Sequence, residues 1–365
     1  MRAGLLVILL SVLGLVAWTA WHFWLIVPFS KPGKWLVSGL YVLSFFLIFV
    51  HYLWNRHMPL WMAVCTYEWS NSWMIFFFYA VLLFGVLGLG RLLHLVPGSF
   101  LKDSVAGTAT VFGILTLLLV YGGFHYRHKY REVIDIRTEK PLEKPLTIVL
   151  ASDLHAGYHN RRPELARWVD LINAEHPDLV LFAGDVVDGG LRPVRESRME
   201  EEFRRIEAPV YACLGNHEYI GGKDGSEAFY AGADIHLLKD ASAAVKGIRV
   251  IGRDDRSNPE RASVSALVPA LASADTLFTI LLDHQPYHLE EAEAAGIDFQ
   301  FSGHTHHGQV WPLNWLTDAM YEKAFGPHRR GKTRYYVSSG LGIWGGKFRI
   351  GTRSEYIVLH LSPEQ

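Results

Sequence analysis

Five short runs of this chain gather side chains that bind hard or borderline cations. They are Asp153-Leu154-His155, Gly184-Asp185-Val186-Val187-Asp188, Gly215-Asn216-His217-Glu218, Asp283-His284 and Gly303-His304-Thr305-His306. Carboxylate, amide oxygen and imidazole suit Mn, Fe or Zn, and no thiolate is among them. Phosphoester hydrolysis by two metals needs ions ~3.5–4 Å apart that clamp the attacking and leaving oxygens. Two cations that close need an anion between them, and Asp185 is placed to be that bridge, with Gly184 allowing a tight turn before it. Taken singly, each run has an ordinary reading. Asp-x-His and Gly-Asp occur in surface turns, and Asn216 and Glu218 suit a helix start. It is the five together that point to chemistry.

Each run comes after an apolar, β-rich stretch: 146–151, 179–183, 210–214, 277–282 and 299–301. Further strands are expected at 248–251, 335–337 and 356–361, and helices at 163–175, 195–206 and 286–295. Strands alternating with helices indicate an α/β or mixed layered domain. Five strand ends then deliver ligands toward one edge of a sheet, where such folds carry their chemistry. The polar stretch 127–145, with Pro141 and Pro145, reads as a linker.

The order Asp-x-His, Gly-Asp-x-x-Asp, Gly-Asn-His-Glu, His, Gly-His-x-His resembles the calcineurin-like metallophosphoesterases, over about residues 146–361. Gly303-His304-Thr305-His306-His307-Gly308-Gln309 and Asp283-His284-Gln285-Pro286 are similar to the bacterial branch that includes the YkuE and YaeI proteins, which more often has Gly where His307 stands. The resemblance implies a two-sheet β-sandwich flanked by helices and two divalent metal ions (Mn, Fe or Zn). It implies that Asp153, His155, Asp185 and His306 hold the first ion, and Asp185, Asn216, His284 and His304 the second. His217 would help the phosphate and leaving group, and Asp188 and Glu218 would support the ligands without binding metal. With Asn216 and Asp185, His217 makes up the expected catalytic set. A metal-activated hydroxide would attack phosphorus, with charge neutralisation as the main contribution.

The rest of the chain has a different composition. Of 35 basic and 36 acidic side chains, only eight fall in residues 1–124, while eight of twelve Trp do. Four stretches, 3–30, 35–55, 69–90 and 104–126, lack any Asp, Glu, Lys or Arg. Each exceeds the ~18 residues that mark a membrane-spanning helix, and their Trp residues lie toward the ends as an interfacial belt. The expected organisation is a four-helix transmembrane region at 1–126, a linker at 127–145 and a catalytic domain at 146–365. Without an intramembrane charged partner, His22 and His51 read as interfacial. Basic residues after the last span (Arg127, Lys129, Arg131), with Arg2 and Arg56, favour a cytoplasmic catalytic domain of a multi-pass bacterial inner-membrane protein. With one cysteine per region, Cys65 and Cys213, no disulfide is expected. The balanced charge gives no sign of nucleic-acid binding, and no partner protein is inferable.

Two glycine-rich signals are declined. Gly326-Pro-His-Arg-Arg-Gly331-Lys332-Thr333 matches the P-loop letters, but a strand comes next where a helix should open, so it reads as a basic loop. Gly340-Leu-Gly342-Ile-Trp-Gly345 lacks the βαβ context of a dinucleotide site. The resemblance implies a loop folding back beside the metals, with Trp344, Lys347 and Arg349 as candidate substrate contacts. His288 reads as ordinary. The expected function is a membrane-anchored phosphoesterase acting on a phosphodiester or pyrophosphate, with a lipid or lipid-linked substrate weighed equally against a soluble one. A protein or small-molecule phosphomonoesterase and a non-catalytic metal-binding module are the alternatives.

Overall fold

The structure, a computed structural model, describes residues 2–268 and 277–364. It contains two compact units, Met1–Phe124 with Gly345–Phe348, and His125–Trp344 with Arg349–Gln365.

The first unit is built on four helices: α1 (Arg2–Ile26), α2 (Lys31–Trp54), α3 (Leu60–Leu92) and α4 (Val105–Arg127). All four are long and apolar enough to cross a membrane. In lipid, helices associate through close packing and interhelical hydrogen bonds rather than through burial from water. Both are present here. The Phe23 ring meets Tyr41, Phe84 and Phe112 at 5.1, 5.0 and 5.2 Å, and the hydroxyls of Thr19 and Tyr41 lie 2.6 Å apart. His22 and His51 have partners inside the unit, the Trp18 carbonyl at 2.8 Å and the Thr66 hydroxyl at 3.0 Å. Helix α3 starts well before the charge-free stretch at 69 and takes in Glu68. That carboxylate pairs with Lys347, 3.2 Å away on the 345–348 segment of the same unit.

Among the described residues, the second unit contains twelve strands: β1 (Lys129–Thr138), β2 (Leu146–Ala151), β3 (Leu179–Ala183), β4 (Val210–Cys213), β5 (Ile235–Leu237), β6 (Ala241–Val245), β7 (Ile248–Gly252), β8 (Phe278–Leu282), β9 (Phe299–Ser302), β10 (Gly326–Arg330), β11 (Thr333–Val337) and β12 (Ser354–Pro363). They form two six-stranded mixed sheets, ordered β1-β12-β2-β3-β4-β5 and β10-β11-β9-β8-β7-β6. Period-two alternation builds the layers. Ile148 and Leu150 face inward with Leu181, Val250, Ile280, Phe299, Phe301 and Leu359 in the core between the sheets. Val149 and Ala151 face outward onto Leu165, Trp168 and Ile172 of helix α5 (Arg162–Asn173). The expected two-sheet sandwich flanked by helices is therefore the fold. The remaining helices are α6 (Arg192–Glu196), α7 (Glu200–Phe203), α8 (Asn216–Gly221), α9 (Lys223–Gly232), α10 (Val264–Leu267), α11 (Leu289–Ala294) and α12 (Leu313–Met320).

Three expectations are corrected. The 127–145 stretch is largely not a linker: β1 occupies 129–138 and pairs in parallel with β12, Lys129 opposite Ser354. Its Ile134, Ile136 and Thr138 alternate with exposed Val133, Asp135 and Arg137, the pattern of a half-buried edge strand. The single helix expected over 195–206 is broken into α6 and α7, with Arg198 between them in the left-handed region at φ 53°. The basic 326–333 loop is a hairpin, β10 antiparallel to β11, turning at Gly331.

Candidate metal centre

Strands β2, β3 and β4 are parallel neighbours, as are β7, β8 and β9 in the facing sheet. Their carboxyl ends therefore release Asp153, Asp185, Asn216, His284 and His304 from adjacent positions. Five of the seven proposed ligand positions, Asp153, His155, Asp185, His304 and His306, have φ between 47° and 72°. Non-glycine residues there cost about 1–3 kcal/mol each, and such strain concentrates where side-chain aim matters more than backbone comfort. Gly184 relieves part of the crowding: at φ +75°, a Cβ on it would lie 2.8 Å from both Gly215 N and His284 Nδ1.

The side chains converge into overlapping groups: Asp153 with His155 and His306, His155 with Asp185 and His217, and Asp185 with His284 and His304. In the first, His306 Nε2 is 3.5 Å from Asp153 Oδ1 and 3.1 Å from His155 Nε2. Asp185 Oδ2 lies 3.6 Å from His155 Nε2 and 3.2 Å from His284 Nε2, so one carboxylate oxygen faces both groups. Asn216 Oδ1 completes the second, 3.2 Å from His284 Nε2 and 2.8 Å from His304 Nδ1.

The supporting contacts are as specific. Glu218 is fully buried, and its carboxylate accepts from the backbone N–H groups of Asp185, Val187 and Gly215 and from the Tyr230 hydroxyl, at 3.1, 3.1, 2.7 and 3.0 Å. It thus fixes the strand end that presents Asp185. Asp188 Oδ1 lies 2.7 Å from His217 Nδ1, and Asp185 Oδ1 accepts from the His217 backbone N–H at 2.8 Å. Burial alone would lower the His217 imidazole, but the Asp185 and Asp188 carboxylates raise it to about 9. Burial would raise Asp185, yet the His284 and His217 imidazoles hold its carboxyl well below the usual range.

The residues fit metal ions. Two imidazole nitrogens 3.1 Å apart repel unless a cation or proton lies between their lone pairs. His155 Nδ1 and His306 Nδ1 are buried with no hydrogen-bond partner of their own. The donor set is oxygen and nitrogen only, as Mn, Fe and Zn accept.

The remaining candidates fall into different places. Trp344 is 43% exposed, its ring edge-on to the His217 imidazole at 6.2 Å. Lys347 is engaged with Glu68. Arg349 is corrected: it is fully buried and does not face a substrate. Its guanidinium donates to the carbonyls of His306 (2.7 Å), Ser339 and Gly342 (3.2 Å) and to the Ser354 hydroxyl (3.2 Å). The 340–345 loop does fold back onto the site: Leu341 and Gly342 N–H groups donate to the Ser152 and Asp153 carbonyls at 3.0 Å. His307 has φ 48°, a conformation Gly adopts freely, and is held by stacking on Phe325 at 4.6 Å and by Asp318 at 3.4 Å. His288 precedes α11 and pairs at the surface with Glu290, so the helix expected from 286 begins at Leu289. Ser152, which donates to Asp153 Oδ2 at 2.5 Å, and Tyr230 carried no recognisable spacing.

Residues 146–308 match the calcineurin-like phosphoesterase family. An uncharacterized metallophosphoesterase of Campylobacter jejuni is 30% identical over 262 residues, 69% of each chain. A zebrafish (Danio rerio) transmembrane protein with metallophosphoesterase domain is 28% identical over 88% of this chain and 76% of its own. The uncharacterized metallophosphoesterase YkuE of Bacillus subtilis is 27% identical over 69% of this chain and 94% of its own. The chain belongs to the calcineurin-like metallophosphoesterases and is a metal-dependent phosphoester hydrolase that carries four apolar helices of membrane-crossing length.

Proposed function

We propose that the chain hydrolyses a phosphodiester or pyrophosphate bond with two bound divalent ions. Asp153, His155, Asp185 and His306 hold one, and Asp185, Asn216, His284 and His304 the other. The observation that carries this reading is the position of Asp185 Oδ2 between His155 and His284, 3.6 and 3.2 Å away. When bound, such ions supply a nucleophile at neutral pH and neutralise charge on the phosphoryl oxygens. The Asn216 amide adds to that stabilisation. His217 is the proton donor of this reading, its ring aimed by the Asp188 carboxylate 2.7 Å from Nδ1. With Nδ1 fixed on Asp188, it donates from Nε2 to the leaving oxygen. Trp344 walls the side of His217 and contacts the leaving group.

The four apolar helices hold the enzyme in a bilayer, which favours a lipid or lipid-linked phosphoester. The basic residues that come after α4 support a cytoplasmic catalytic unit on a bacterial inner membrane. Full-length protein with added Mn²⁺ is expected to hydrolyse bis-p-nitrophenyl phosphate faster than p-nitrophenyl phosphate. Chelator and Asp185→Asn should each abolish the turnover and the metal content together. Two bound ions with no loss in Asp185→Asn would overturn the bridging role. Lys31→Cys and Lys102→Cys should label from outside the inner membrane; labelling of 127–131 from that side instead would reverse the orientation.

A further inference from the structure

Helix α12 is built inside out for a protein surrounded by water. Around its axis, Asn314, Thr317 and Asp318 occupy one side, and Leu313, Trp315, Leu316, Ala319 and Met320 the other. The polar side carries the contacts to the protein: Asn314 Oδ1 is buried and the half-exposed Asp318 lies 3.4 Å from His307, while Thr317 donates within the helix to the Asn314 carbonyl. The apolar side faces outward. Trp315, Leu316 and Met320 are 63, 56 and 58% exposed, and Trp311, edge-on to Trp315 at 5.5 Å, extends the patch. Soluble surfaces rarely leave such a contiguous patch without a binding role.

Its place in the fold gives the patch a meaning. The helix comes directly after the His304–His306 ligand loop, and Gly308 packs against the Leu313–Asn314 backbone. Tyr321, one residue past the helix, sets its ring edge toward His304 at 6.4 Å. The helix that carries the patch thus packs against the ligand loop of the candidate metal centre. Its composition, paired Trp with Leu and Met on a short amphipathic helix, is that of an interfacial membrane element. The same chain carries four helices that place a bilayer at high effective concentration.

We infer that α12 docks its Trp311, Trp315, Leu316 and Met320 face into the surface of the phospholipid bilayer beside the metal centre, so that the hydrolysed phosphoester is one carried on a lipid anchor. The statement about substrate rests on the proposed function; the statement about docking does not.

Full-length protein with Cys65→Ser and a single nitroxide-labelled Leu316→Cys is reconstituted in phosphatidylcholine–phosphatidylglycerol vesicles. Ala231→Cys, exposed on α9, is the control. The label at 316 should be several-fold more accessible to oxygen, and several-fold less to a water-soluble chromium chelate, than that at 231. Equal chelate access at the two positions overturns docking. Shielding from both relaxants marks a protein cover and also overturns it. In the same vesicles, Trp315→Glu/Leu316→Glu should lower several-fold the ratio of phosphatidyl-p-nitrophenol to bis-p-nitrophenyl phosphate turnover. An unchanged ratio overturns the lipid-anchored substrate. Failure of the proposed function is separate: unsubstituted protein would show no metal-dependent turnover of the soluble diester, whatever the labels report.

Discussion

Replacing Arg349 with Met removes a fully buried guanidinium while keeping most of its volume. Three backbone carbonyls, those of His306, Ser339 and Gly342, lose a charged donor, and the Ser354 hydroxyl loses a partner. Hydrogen bonds to charged groups contribute ~1.5–3 kcal/mol each. Against that, the substitution removes the desolvation penalty of the guanidinium, several kcal/mol in a site this dry. That penalty is visible in the group itself, where burial pushes the guanidinium down to about 10 although the Asp153 carboxylate works the other way. The net expectation is a loss of about 3 kcal/mol, read as a fall in melting temperature of ~6–12 °C for a unit of this size. The larger effect should be on metal. Arg349 holds the carbonyl of His306 and, through Gly342, the loop against Asp153, so both ends of one ligand set loosen. Partners that orient ligands typically carry ~10–100-fold in affinity. Titration of chelator-stripped protein with Mn²⁺ should show one of two sites weakened by that factor, with Arg349→Lys intermediate because an ammonium cannot span the carbonyls. Wild-type Mn²⁺ affinity at both sites in Arg349→Met would refute this reasoning, even if the protein melted earlier.

Glu218→Gln places an amide N–H₂ among three backbone N–H donors and should lower stability by ~2 kcal/mol in thermal denaturation. Removing metal with chelator should lower the melting temperature in proportion to the logarithm of the free ion concentration it replaces, since the ions bind only the folded site. Glu175 is held below its usual range, chiefly by the hydrogen bonds from Arg131. A depressed carboxylate stabilises above its unfolded value of about 4.5 and loses that contribution as pH falls through the folded value. The stability gap between wild type and Glu175→Gln should therefore shrink between about pH 5 and strongly acidic pH in pH-stepped denaturation curves; a constant gap would mean that the pair does not shift Glu175.

The candidate site was legible because its residues sit where chain geometry leaves few choices. A parallel strand of continuous apolar residues ends abruptly, and the residues after it are turned toward the sheet edge. That is why β2, β3 and β8 and the Asp and His residues beyond them could be placed from the order of residue types, whereas their assignment as ligands comes from the family resemblance. Elements whose stability comes from neighbours were not legible. β1 alternates charged with apolar residues and looks like a linker until β12 lies beside it. β10 is basic and glycine-bounded, and only β11 makes it a strand. Arg349 shows the same limit at the level of one side chain. Near a glycine-rich loop in a phosphoesterase, an arginine reads as an anion contact. Its actual partners are the carbonyl of His306 and two carbonyls of the 339–342 loop, and no local spacing encodes them. The Tyr230 contact was not legible either, because it depends on α9 packing beside α8, which brings the hydroxyl to Glu218.

The parallel pairing of β1 with β12 has a consequence for how the protein is made. Strand β12 is synthesised last of the twelve, yet it lies second in its sheet, between the two that are synthesised first. By then α1–α4 have long left the ribosome, and β1 and β2 wait with unpaired edges that invite wrong partners. Pairing of Lys129 with Ser354 joins the first strand to the last, and such non-local contacts form slowly. A truncation before Ser354 would therefore not trim a border. It would leave a gap inside the sheet and cut β1 loose, holding an aggregation-prone half-fold to the membrane surface.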